Sequence, residues 1–406
     1  MSKSPVDALV AARKSGHGLP AGFYHDAEIF ERDLQQIFLA GWQYAGHVSQ
    51  LPKIGDYLLF EMAGESVIVV RSEAGYRALL NVCRHRGSRI CQQQQGQAKR
   101  LVCPYHGWSY ALSGELLAAA ELSDEVDRSR LGLKRVALDE IEGLLFINFA
   151  AKPSPFRILR HRMGGALKAH GLADLKVAHS IDYSINANWK LAVENYCECY
   201  HCRPSHKAYS KGHQLAVPRD QWLEGQAQAN QLAKASGFSQ MVDGTWLNAP
   251  KAGLECQYAH YPLVNGHVTG SEDGQPVAPL IGSLQAPVAL ATDFQLGPNL
   301  FGLIYSDHAV LYRFLPVSVA ETVCQVSWLV RAGAREGQDY ALPKLIWLWD
   351  TTTREDKTII EQNQLGVSSR YYRPGPFTSM EVFASRFVDW YLARLDGQNH
   401  DVIAGR

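Results

Sequence analysis

Two short segments of the sequence each pair a cysteine with a histidine. Cys83 and His85 form the first pair, and Cys103 and His106 form the second, each within a β-rich part of the chain. Thiolates and imidazoles are the protein groups that bind zinc ions and iron–sulfur clusters. Because each segment supplies one ligand of each kind, the spacing predicts that all four side chains bind one metal centre.

A tetrahedral zinc ion and a Rieske [2Fe–2S] cluster both accept two cysteines and two histidines. Zinc fingers pair cysteine with cysteine and histidine with histidine along the chain, and this sequence does not. In a Rieske cluster two cysteines bind one iron and two histidines bind the other, so two mixed segments suit it. Gly87 and Gly107 follow the ligands and permit tight turns that bring backbone N–H groups toward cluster sulfurs. The pattern favours the Rieske cluster, with structural zinc as the alternative.

Two further histidines, His201 and His206, lie close together in the second half of the chain with Pro204 between them. On one straight helix this spacing would turn the two side chains roughly 140° apart, which is too far for a shared metal. Pro204 is predicted to break the helix and to let His206 fold back toward His201. The alternatives are two ordinary polar histidines, or zinc or redox chemistry at the CxxC pair Cys199 and Cys202, which lacks a second CxxC.

A mononuclear Fe(II) that activates O2 is typically held by two histidines and one carboxylate, which leaves coordination positions open. The candidates for the carboxylate are Asp350, Glu355 and Asp356, at the start of a predicted helix. Each also has an ordinary interpretation as a solvated side chain or as an acidic group at a helix N-terminus. The residues alone do not separate the three.

Two regions of different secondary structure must position these residues. Residues 6–41 are predicted helical, and Trp42–Ala150 is predicted to be a small all-β module with strands at Tyr57–Phe60, Ser66–Val70, Leu101–Val102 and Leu144–Phe149. A linker near Lys152–Phe156 leads to a second region with predicted helices at Trp189–Cys202, Tyr340–Gly366 and Thr378–Leu395. Its predicted strands, expected to share one antiparallel sheet, are Asn299–Tyr305, Ala309–Pro316 and Val323–Val330. This combination predicts an α+β fold.

The composition of the chain argues against several classes of function. At 406 residues the chain is long enough for two domains, and its 46% hydrophobic and 20% charged residues are typical of a globular protein. The formal net charge of zero argues against nucleic acid or an anionic membrane as partner, so a small molecule is expected. No apolar run reaches signal-peptide or membrane-span length, which predicts a cytoplasmic protein. The eight cysteines are therefore expected to be metal ligands or buried thiols rather than a disulfide framework.

At its two cysteine–histidine segments the sequence resembles a known family, the Rieske non-haem iron oxygenases, also called aromatic-ring-hydroxylating oxygenase α subunits. Residues 81–87 and 103–108 are similar to the two cluster loops of that family. The resemblance continues through the rest of the chain, where a Rieske ferredoxin would have ended. It implies an oxidoreductase that uses O2 as a mono- or dioxygenase. A Rieske electron carrier without oxygenase activity and a zinc-stabilised binding protein are the alternatives from other classes.

The resemblance also implies roles for individual residues. It implies that the [2Fe–2S] cluster is bound by Cys83, His85, Cys103 and His106, and that the mononuclear Fe(II) is bound by His201, His206 and Asp356. Glu198 lies three residues before His201, so it is expected on the same helix face. It matches the family position that links the mononuclear site to a Rieske histidine of a neighbouring subunit. Asn195 matches an asparagine near the iron.

The fold implied by the family is α+β, with an all-β Rieske domain and a helix-grip catalytic domain. The expected boundaries are a helical lead-in at 1–41 that packs on the catalytic domain, the Rieske domain at 42–150 and the catalytic domain at 151–406. Because the sequence lacks a Gly-rich nucleotide motif such as GxGxxG, the NAD(P)H and flavin that supply electrons are expected on a separate flavin and iron–sulfur reductase. The family also implies a homotrimer with head-to-tail contacts between subunits.

The signals for the substrate are weaker. Tyr196–Cys202 and Gln364–Pro376 look most like the branch of the family that oxidises quaternary amines such as glycine betaine, choline, carnitine or proline betaine. A methylammonium cation would favour an aromatic cage, for which the candidates are Trp222, Trp246, Tyr258 and Tyr261. The tryptophans assigned to the core instead are Trp328, Trp347 and Trp349. Hydroxylation of an aromatic or aromatic carboxylate substrate is the alternative.

Overall fold

A computed structural model of the chain describes residues 9–11, 13–215, 217–239 and 256–395. The strands of this part of the chain are β1 (Gln43–His47), β2 (Asp56–Met62), β3 (Glu65–Ser72), β4 (Gly75–Leu80), β5 (Gln95–Gln97), β6 (Leu101–Val102), β7 (Ser109–Tyr110), β8 (Leu116–Ala118), β9 (Arg135–Ile141), β10 (Leu144–Asn148), β11 (Leu175–Ile185), β12 (Cys256–Pro262), β13 (Leu290–Leu296), β14 (Leu300–Ile304), β15 (Ala309–Ser318) and β16 (Glu321–Arg331). The helices are α1 (Gly22–His25), α2 (Ala27–Asp33), α3 (Arg157–Ala169), α4 (Trp189–Tyr196), α5 (Cys202–Ser205), α6 (Tyr209–Gly212), α7 (Arg219–Ala235), α8 (Leu342–Val367) and α9 (Val382–Leu395). None of the described helices is long and apolar enough to span a membrane.

The region that carries the two cysteine–histidine segments is an all-β module. It contains a seven-stranded antiparallel sheet in the order β1-β10-β9-β4-β3-β2-β5 and a three-stranded sheet in the order β6-β7-β8. Along β2, Tyr57 and Leu59 pack in the core around the cysteines, whereas Leu58 and Phe60 face the large core shared with the second region. Successive side chains of a strand point to opposite faces, so β2 is buried on both. The strands predicted here are confirmed as β2, β3, β6 and β10.

The second region is built on a six-stranded antiparallel sheet in the order β11-β16-β15-β14-β13-β12. The three strands predicted from the sequence are confirmed as β14, β15 and β16, which pair with one another in that order. The strands β11, β12 and β13, which the sequence analysis did not identify, complete the sheet. Along β13, Ala291 faces the core that contains residues of α4 and α8, whereas Phe294 faces the core that contains residues of α3. The sheet therefore separates two helical layers.

The helix predicted at Trp189–Cys202 ends earlier than expected. α4 stops at Tyr196, and Pro204 lies inside the next short helix, so the prediction that Pro204 breaks α4 is wrong. Proline is tolerated in the first turn of a helix because the N–H groups there have no intrahelical partner. The chain turns because the Glu198 carboxylate accepts backbone hydrogen bonds from the residues that follow, including His201 at 3.3 Å. This local hydrogen bonding competes with continuation of the helix.

The helix predicted at Tyr340–Gly366 is confirmed as α8, but its start changes the interpretation of its acidic residues. α8 begins at Leu342 with Pro343 in its first turn, a position that proline favours. Asp350 and Asp356 therefore lie within the helix, more than one turn from its N-terminus. Their interpretation as helix N-terminal acids is wrong.

The N-terminal helices pack on the second region through a buried polar network. Asp33 accepts hydrogen bonds from Trp189 Nε1 at 2.9 Å and from the Tyr391 hydroxyl at 2.8 Å, and it pairs with the Lys190 ammonium. The side chains of Asp33 and Lys190 are both 0% exposed. Because a buried charge requires a partner, Asp33 ties α2 to α4 and α9.

Replacing Asp33 with alanine should destabilise the fold by about 3 to 5 kcal/mol, because it leaves the Lys190 ammonium buried without its partner. Chemical denaturation followed by circular dichroism measures the change. Arg335→Ala is the matched control, since it removes the exposed ion pair with Asp339 and should change the free energy of unfolding by less than about 1 kcal/mol. Equal effects of the two substitutions would contradict the role given to Asp33.

Candidate metal centres

The two cysteine–histidine segments fold into matching loops, one after β4 and one after β6. In the first loop the Gly87 N–H donates to the Cys83 carbonyl at 3.0 Å, and in the second the Gly107 N–H donates to the Cys103 carbonyl at 3.1 Å. Both glycines have positive φ, +78° and +73°, which glycine adopts without steric strain. The two loops therefore present their ligands with the same local geometry.

In these loops the thiols are buried and the imidazoles are exposed. The Cys83 and Cys103 side chains belong to the core of the β module, whereas His85 and His106 lie at the surface. The ring centroids of His85 and His106 are 4.7 Å apart, and Trp108 stacks against His85 at 4.8 Å. A [2Fe–2S] cluster with one iron bound by two thiolates and the other by two imidazoles requires two inner sulfurs and two outer nitrogens, so the residues fit the cluster.

The hydroxyl of Tyr110 lies next to one of these sulfurs. It is 3.3 Å from Cys83 Sγ and accepts a hydrogen bond from the Arg84 backbone N–H at 3.0 Å. Since the oxygen already accepts that bond, its proton is free to point at the sulfur. Burial and the hydrogen bond to Cys83 raise the pKa of Tyr110, which keeps the hydroxyl protonated as a donor.

The second group of predicted ligands converges on one carboxylate oxygen. Asp356 Oδ1 lies 3.2 Å from His201 Nε2 and 3.0 Å from His206 Nε2. His201 immediately precedes α5 and His206 immediately follows it, while Asp356 projects from α8. Two imidazoles and one carboxylate that meet in this way fit the facial triad of a mononuclear non-haem iron.

The outer nitrogens of both histidines are held by carboxylates. His201 Nδ1 donates to Glu198 at 2.6 Å, and His206 Nδ1 donates to Glu355 at 2.8 Å. Such partners fix the ring orientation and the tautomer so that Nε2 is free to bind a metal. The sequence analysis missed this role for Glu355, which it treated as a rival ligand; the signal was its position directly beside Asp356.

The polar groups of this site form a charged cluster. Burial lowers the pKa of His201, but its hydrogen bonds to Asp356 and Glu198 outweigh burial and raise the pKa to about 9. The pKa of His206 is raised for the same reason, through Asp356 and Glu355. Burial raises the pKa of Asp356, and the two histidines outweigh it and lower the pKa. A divalent cation at the Nε2 atoms would take the place of these protons.

The remaining predicted site residues differ in where they lie. Asn195 Nδ2 is 3.4 Å from His201 Nε2, close to the triad as expected. Glu198 contacts His201 through the turn that follows α4, so the expectation that both residues share one helix face is wrong. Asp350 hydrogen-bonds the Tyr183 hydroxyl at 2.5 Å and Arg354 Nε at 2.9 Å, and it makes no hydrogen bond to either histidine among the described residues.

Cys199 and Cys202 form a disulfide, which the cysteine analysis did not expect. Their Cα atoms are 4.9 Å apart because the chain turns between α4 and α5, and this separation lies within the range of disulfides. Cys202 also lies among the donor atoms around His201 and His206. A disulfide sulfur carries no thiolate to bind a metal, so Asp356 is the better third donor.

The aromatic residues proposed for a substrate cage that the structure describes lie in different places. Trp222 is exposed on α7, and Tyr258 is fully buried in the core that contains α3, on the far side of the sheet. Trp246 lies outside the described residues. Tyr261 lies three residues after Tyr258 on β12, so its side chain points to the opposite face of the sheet. That face is the one that α4 and α8 cover.

Other aromatic side chains occupy the face of the sheet near the triad. Trp349, which was assigned to the core, has its ring 5.3 Å from that of Tyr209 and 6.4 Å from that of Tyr305. Tyr196 packs against Phe301 at 4.6 Å. These rings form the aromatic surroundings of the site in the described part of the chain, and only Trp349 among them lies on the helix of Asp356.

Two protein families match most of the chain. Residues 41–128 match the Rieske [2Fe-2S] domain, and residues 172–397 match the ring hydroxylating alpha subunit (catalytic domain). The cluster and the mononuclear iron are therefore confirmed as cofactors of the domains present. The assignment of individual ligands stays a prediction that the geometry fits.

Three relatives illustrate the similarity. The glycine betaine monooxygenase oxygenase subunit of Chromohalobacter salexigens is 33% identical over 398 residues, which cover 96% of this chain and 89% of that protein. The carnitine monooxygenase oxygenase subunit of Escherichia coli K12 is 34% identical over 203 residues, covering 48% of this chain and 54% of that protein. A solved quaternary ammonium Rieske monooxygenase is 22% identical, with a TM-score of 0.73 over 98% of this chain and 100% of that one. The last comparison shows a shared fold.

Tyr110→Phe should lower the reduction potential of the cluster, because it removes a hydrogen bond that stabilises the extra negative charge of the reduced form. A redox titration followed by the visible spectrum measures the potential. Tyr105→Phe is the control, since Tyr105 stacks on His106 at 3.8 Å and phenylalanine keeps that ring. An unchanged potential in Tyr110→Phe, or equal shifts in both variants, would contradict the assigned hydrogen bond.

Asp356→Ala should remove the mononuclear iron and all turnover while the visible spectrum of the cluster stays intact. Glu355→Ala should weaken iron binding by about 10- to 100-fold, because it removes only the partner that orients His206. Chelator competition measures iron affinity in each variant, with Asp350→Ala as the control that should bind iron normally. If Asp356→Ala kept its iron and activity, another carboxylate would have to be the ligand.

Proposed function

The chain belongs to the family of ring-hydroxylating oxygenase α subunits, and on this premise we propose that it is the terminal oxygenase component that oxidises a quaternary ammonium compound. The reaction is hydroxylation or oxidative N-demethylation with O2. The observation that carries the proposal is the convergence of His201, His206 and Asp356 on one point. It occurs in a chain that matches a glycine betaine monooxygenase oxygenase subunit along nearly its whole length.

The residues around this point orient the predicted iron ligands and limit the access of water. An iron bound by the triad would supply the open coordination positions at which O2 reacts beside the substrate. Glu198 and Glu355 hold the outer nitrogens of the two imidazoles, so both Nε2 atoms keep their direction during turnover. His206 is 1% exposed, which keeps bulk water away from one side of the triad.

Electrons must reach the triad from outside the chain. We assign NAD(P)H and flavin to a separate flavin and iron–sulfur reductase, because the chain has no Gly-rich nucleotide motif. His85 and His106 lie at the protein surface, where another subunit can contact the edge of the cluster. The Glu198 side chain keeps 14% exposure beside His201. Both observations support a head-to-tail homotrimer in which Glu198 links His201 to a Rieske histidine of the neighbouring subunit.

The domain division that goes with this function has three parts. A lead-in at 1–41 packs on the catalytic domain, the Rieske domain spans 42–150 and the catalytic domain spans 151–406. The contacts of Asp33 with Lys190 and Tyr391 support the position of the lead-in. The family matches at 41–128 and 172–397 support the two larger parts.

Substrate-dependent O2 uptake tests the proposed reaction. With a reductase and NAD(P)H present, the holoenzyme should consume O2 with at least one of glycine betaine, choline, carnitine and proline betaine. N-demethylation should release formaldehyde in proportion. O2 uptake and product formation with an aromatic carboxylate, and none with any quaternary amine, would support the alternative substrate class instead.

Glu198→Gln should keep both iron centres and substrate affinity but slow electron transfer between them, because an amide cannot hold both imidazoles as a carboxylate does. Single-turnover stopped-flow on the pre-reduced enzyme, with substrate and O2, measures reoxidation of the cluster. Glu321→Gln is the control, since Glu321 hydrogen-bonds Ser184 at 3.0 Å on the sheet. Reoxidation of the Glu198→Gln cluster at the wild-type rate would remove the bridging role and the main support for the ring.

A further inference from the structure

Asp293 places a carboxylate on the face of the sheet that the triad helices cover. It lies on β13 between Ala259 of β12 and Leu303 of β14, which are its direct cross-strand neighbours. Side chains alternate along a strand, so Asp293 points the same way as Ala291, into the core that contains residues of α4 and α8. The triad lies on the same side, because Asp356 is on α8 and His201 follows α4.

Three tyrosines near Asp293 relate its position to that of the triad. Its charge acts on the hydroxyls of Tyr196, Tyr209 and Tyr261 and raises the pKa of each, after the larger effect of burial. Tyr209 is also within the electrostatic reach of Asp356. Tyr209 is therefore near enough to both carboxylates for each of them to raise its pKa.

Asp293 is a half-buried carboxylate. Part of its surface stays accessible, since the residue is only half-buried, yet burial raises the pKa of its carboxyl to about 7. A half-buried polar group on the same face of the sheet as the triad is placed to contact a substrate of the oxygenase.

The carboxylate has no positive partner in the described part of the chain. The group there that opposes the effect of burial on its pKa is the hydroxyl of Tyr196, which carries no charge. Asp307, a fully buried aspartate, instead accepts hydrogen bonds from His308, Thr269 and backbone N–H groups, and its pKa is lowered. An ionised, half-buried carboxylate is stabilised when a cation binds beside it.

The aromatic rings near the triad suit one kind of cation. Trp349, Tyr209 and Tyr305 offer aromatic faces, which attract a cation that lacks N–H groups. We propose that Asp293 is the counter-ion that binds the quaternary nitrogen of the substrate, with these rings around its methyl groups. This inference rests on the proposed function and deepens it, because it assigns the positive charge of the substrate to a residue outside the triad.

A quaternary nitrogen cannot donate a hydrogen bond, so its attraction to Asp293 is Coulombic. Asparagine has the shape of aspartate without the charge, so Asp293→Asn removes this attraction and little else. At a partly buried site a charge pair at contact distance corresponds to a change in affinity on the order of 10- to 100-fold. A ligand of the same shape without the charge should bind the two forms about equally.

Calorimetric titration of the holoenzyme, without reductant so that no turnover occurs, tests the inference. The probes are two pairs of isosteres that differ only in the quaternary nitrogen: choline with 3,3-dimethylbutan-1-ol, and glycine betaine with 3,3-dimethylbutanoate. Asp293→Asn should weaken binding of the member with the quaternary nitrogen by at least about tenfold relative to its carbon isostere. Asp182→Asn, which removes an exposed carboxylate from β11 of the same sheet, should change neither.

The outcomes separate the inference from the proposed function. If the wild type oxidises a quaternary amine but Asp293→Asn binds it as tightly as the wild type, the counter-ion role is overturned and the function stands. If Asp293→Asn does not fold, the wild type still decides, because equal affinity for a quaternary amine and its carbon isostere overturns the role. If the wild type neither binds nor oxidises any quaternary amine, the proposed function fails and the inference fails with it.

Discussion

One carboxylate oxygen of Asp356 lies within hydrogen-bond distance of Nε2 of both His201 and His206, and the catalytic region is organised around this convergence. The histidines and the aspartate come from segments far apart in sequence, so only the packing of α8 against the sheet and α4 brings them together. Two further carboxylates hold the outer nitrogens of the imidazoles. Without a metal these groups form a cluster of acidic and basic side chains, and the same atoms are the predicted ligands of the iron.

The two metal centres differ in the exposure of their imidazole groups to solvent. In the β module the thiols of the predicted cluster ligands are buried and their imidazoles lie at the surface, an arrangement that would suit electron exchange at the edge of the cluster. In the catalytic domain the imidazole of His206 is buried, and aromatic rings surround the site. A centre that handles O2 benefits from this exclusion of water, whereas an electron-transfer cluster requires contact at its edge. The positions of the ligands thus match the division of labour between the domains.

Much of this organisation could be predicted from the sequence. The mixed order of cysteine and histidine predicted a Rieske cluster because the pattern arises from loops whose geometry is local. The turn after Tyr196 was not predicted, because it depends on hydrogen bonds from the backbone to the Glu198 carboxylate rather than on Pro204. The role of Glu355 was not predicted either, because its position beside Asp356 marks it as a candidate but does not show which of two adjacent acidic residues binds the metal; that depends on what packs opposite each of them. The same limit applies to Asp293, because its proposed role depends on the lack of a positive partner among the residues that the structure describes.

The measurement that tests the central claim most directly is iron and acid-labile sulfide analysis of the purified protein. A chain with a Rieske cluster and a separate iron at the triad should contain about three irons and two sulfides. Two irons with two sulfides, together with no O2 uptake on any substrate, would describe an electron carrier without iron at the triad. Zinc in place of iron and sulfide would contradict both metal centres.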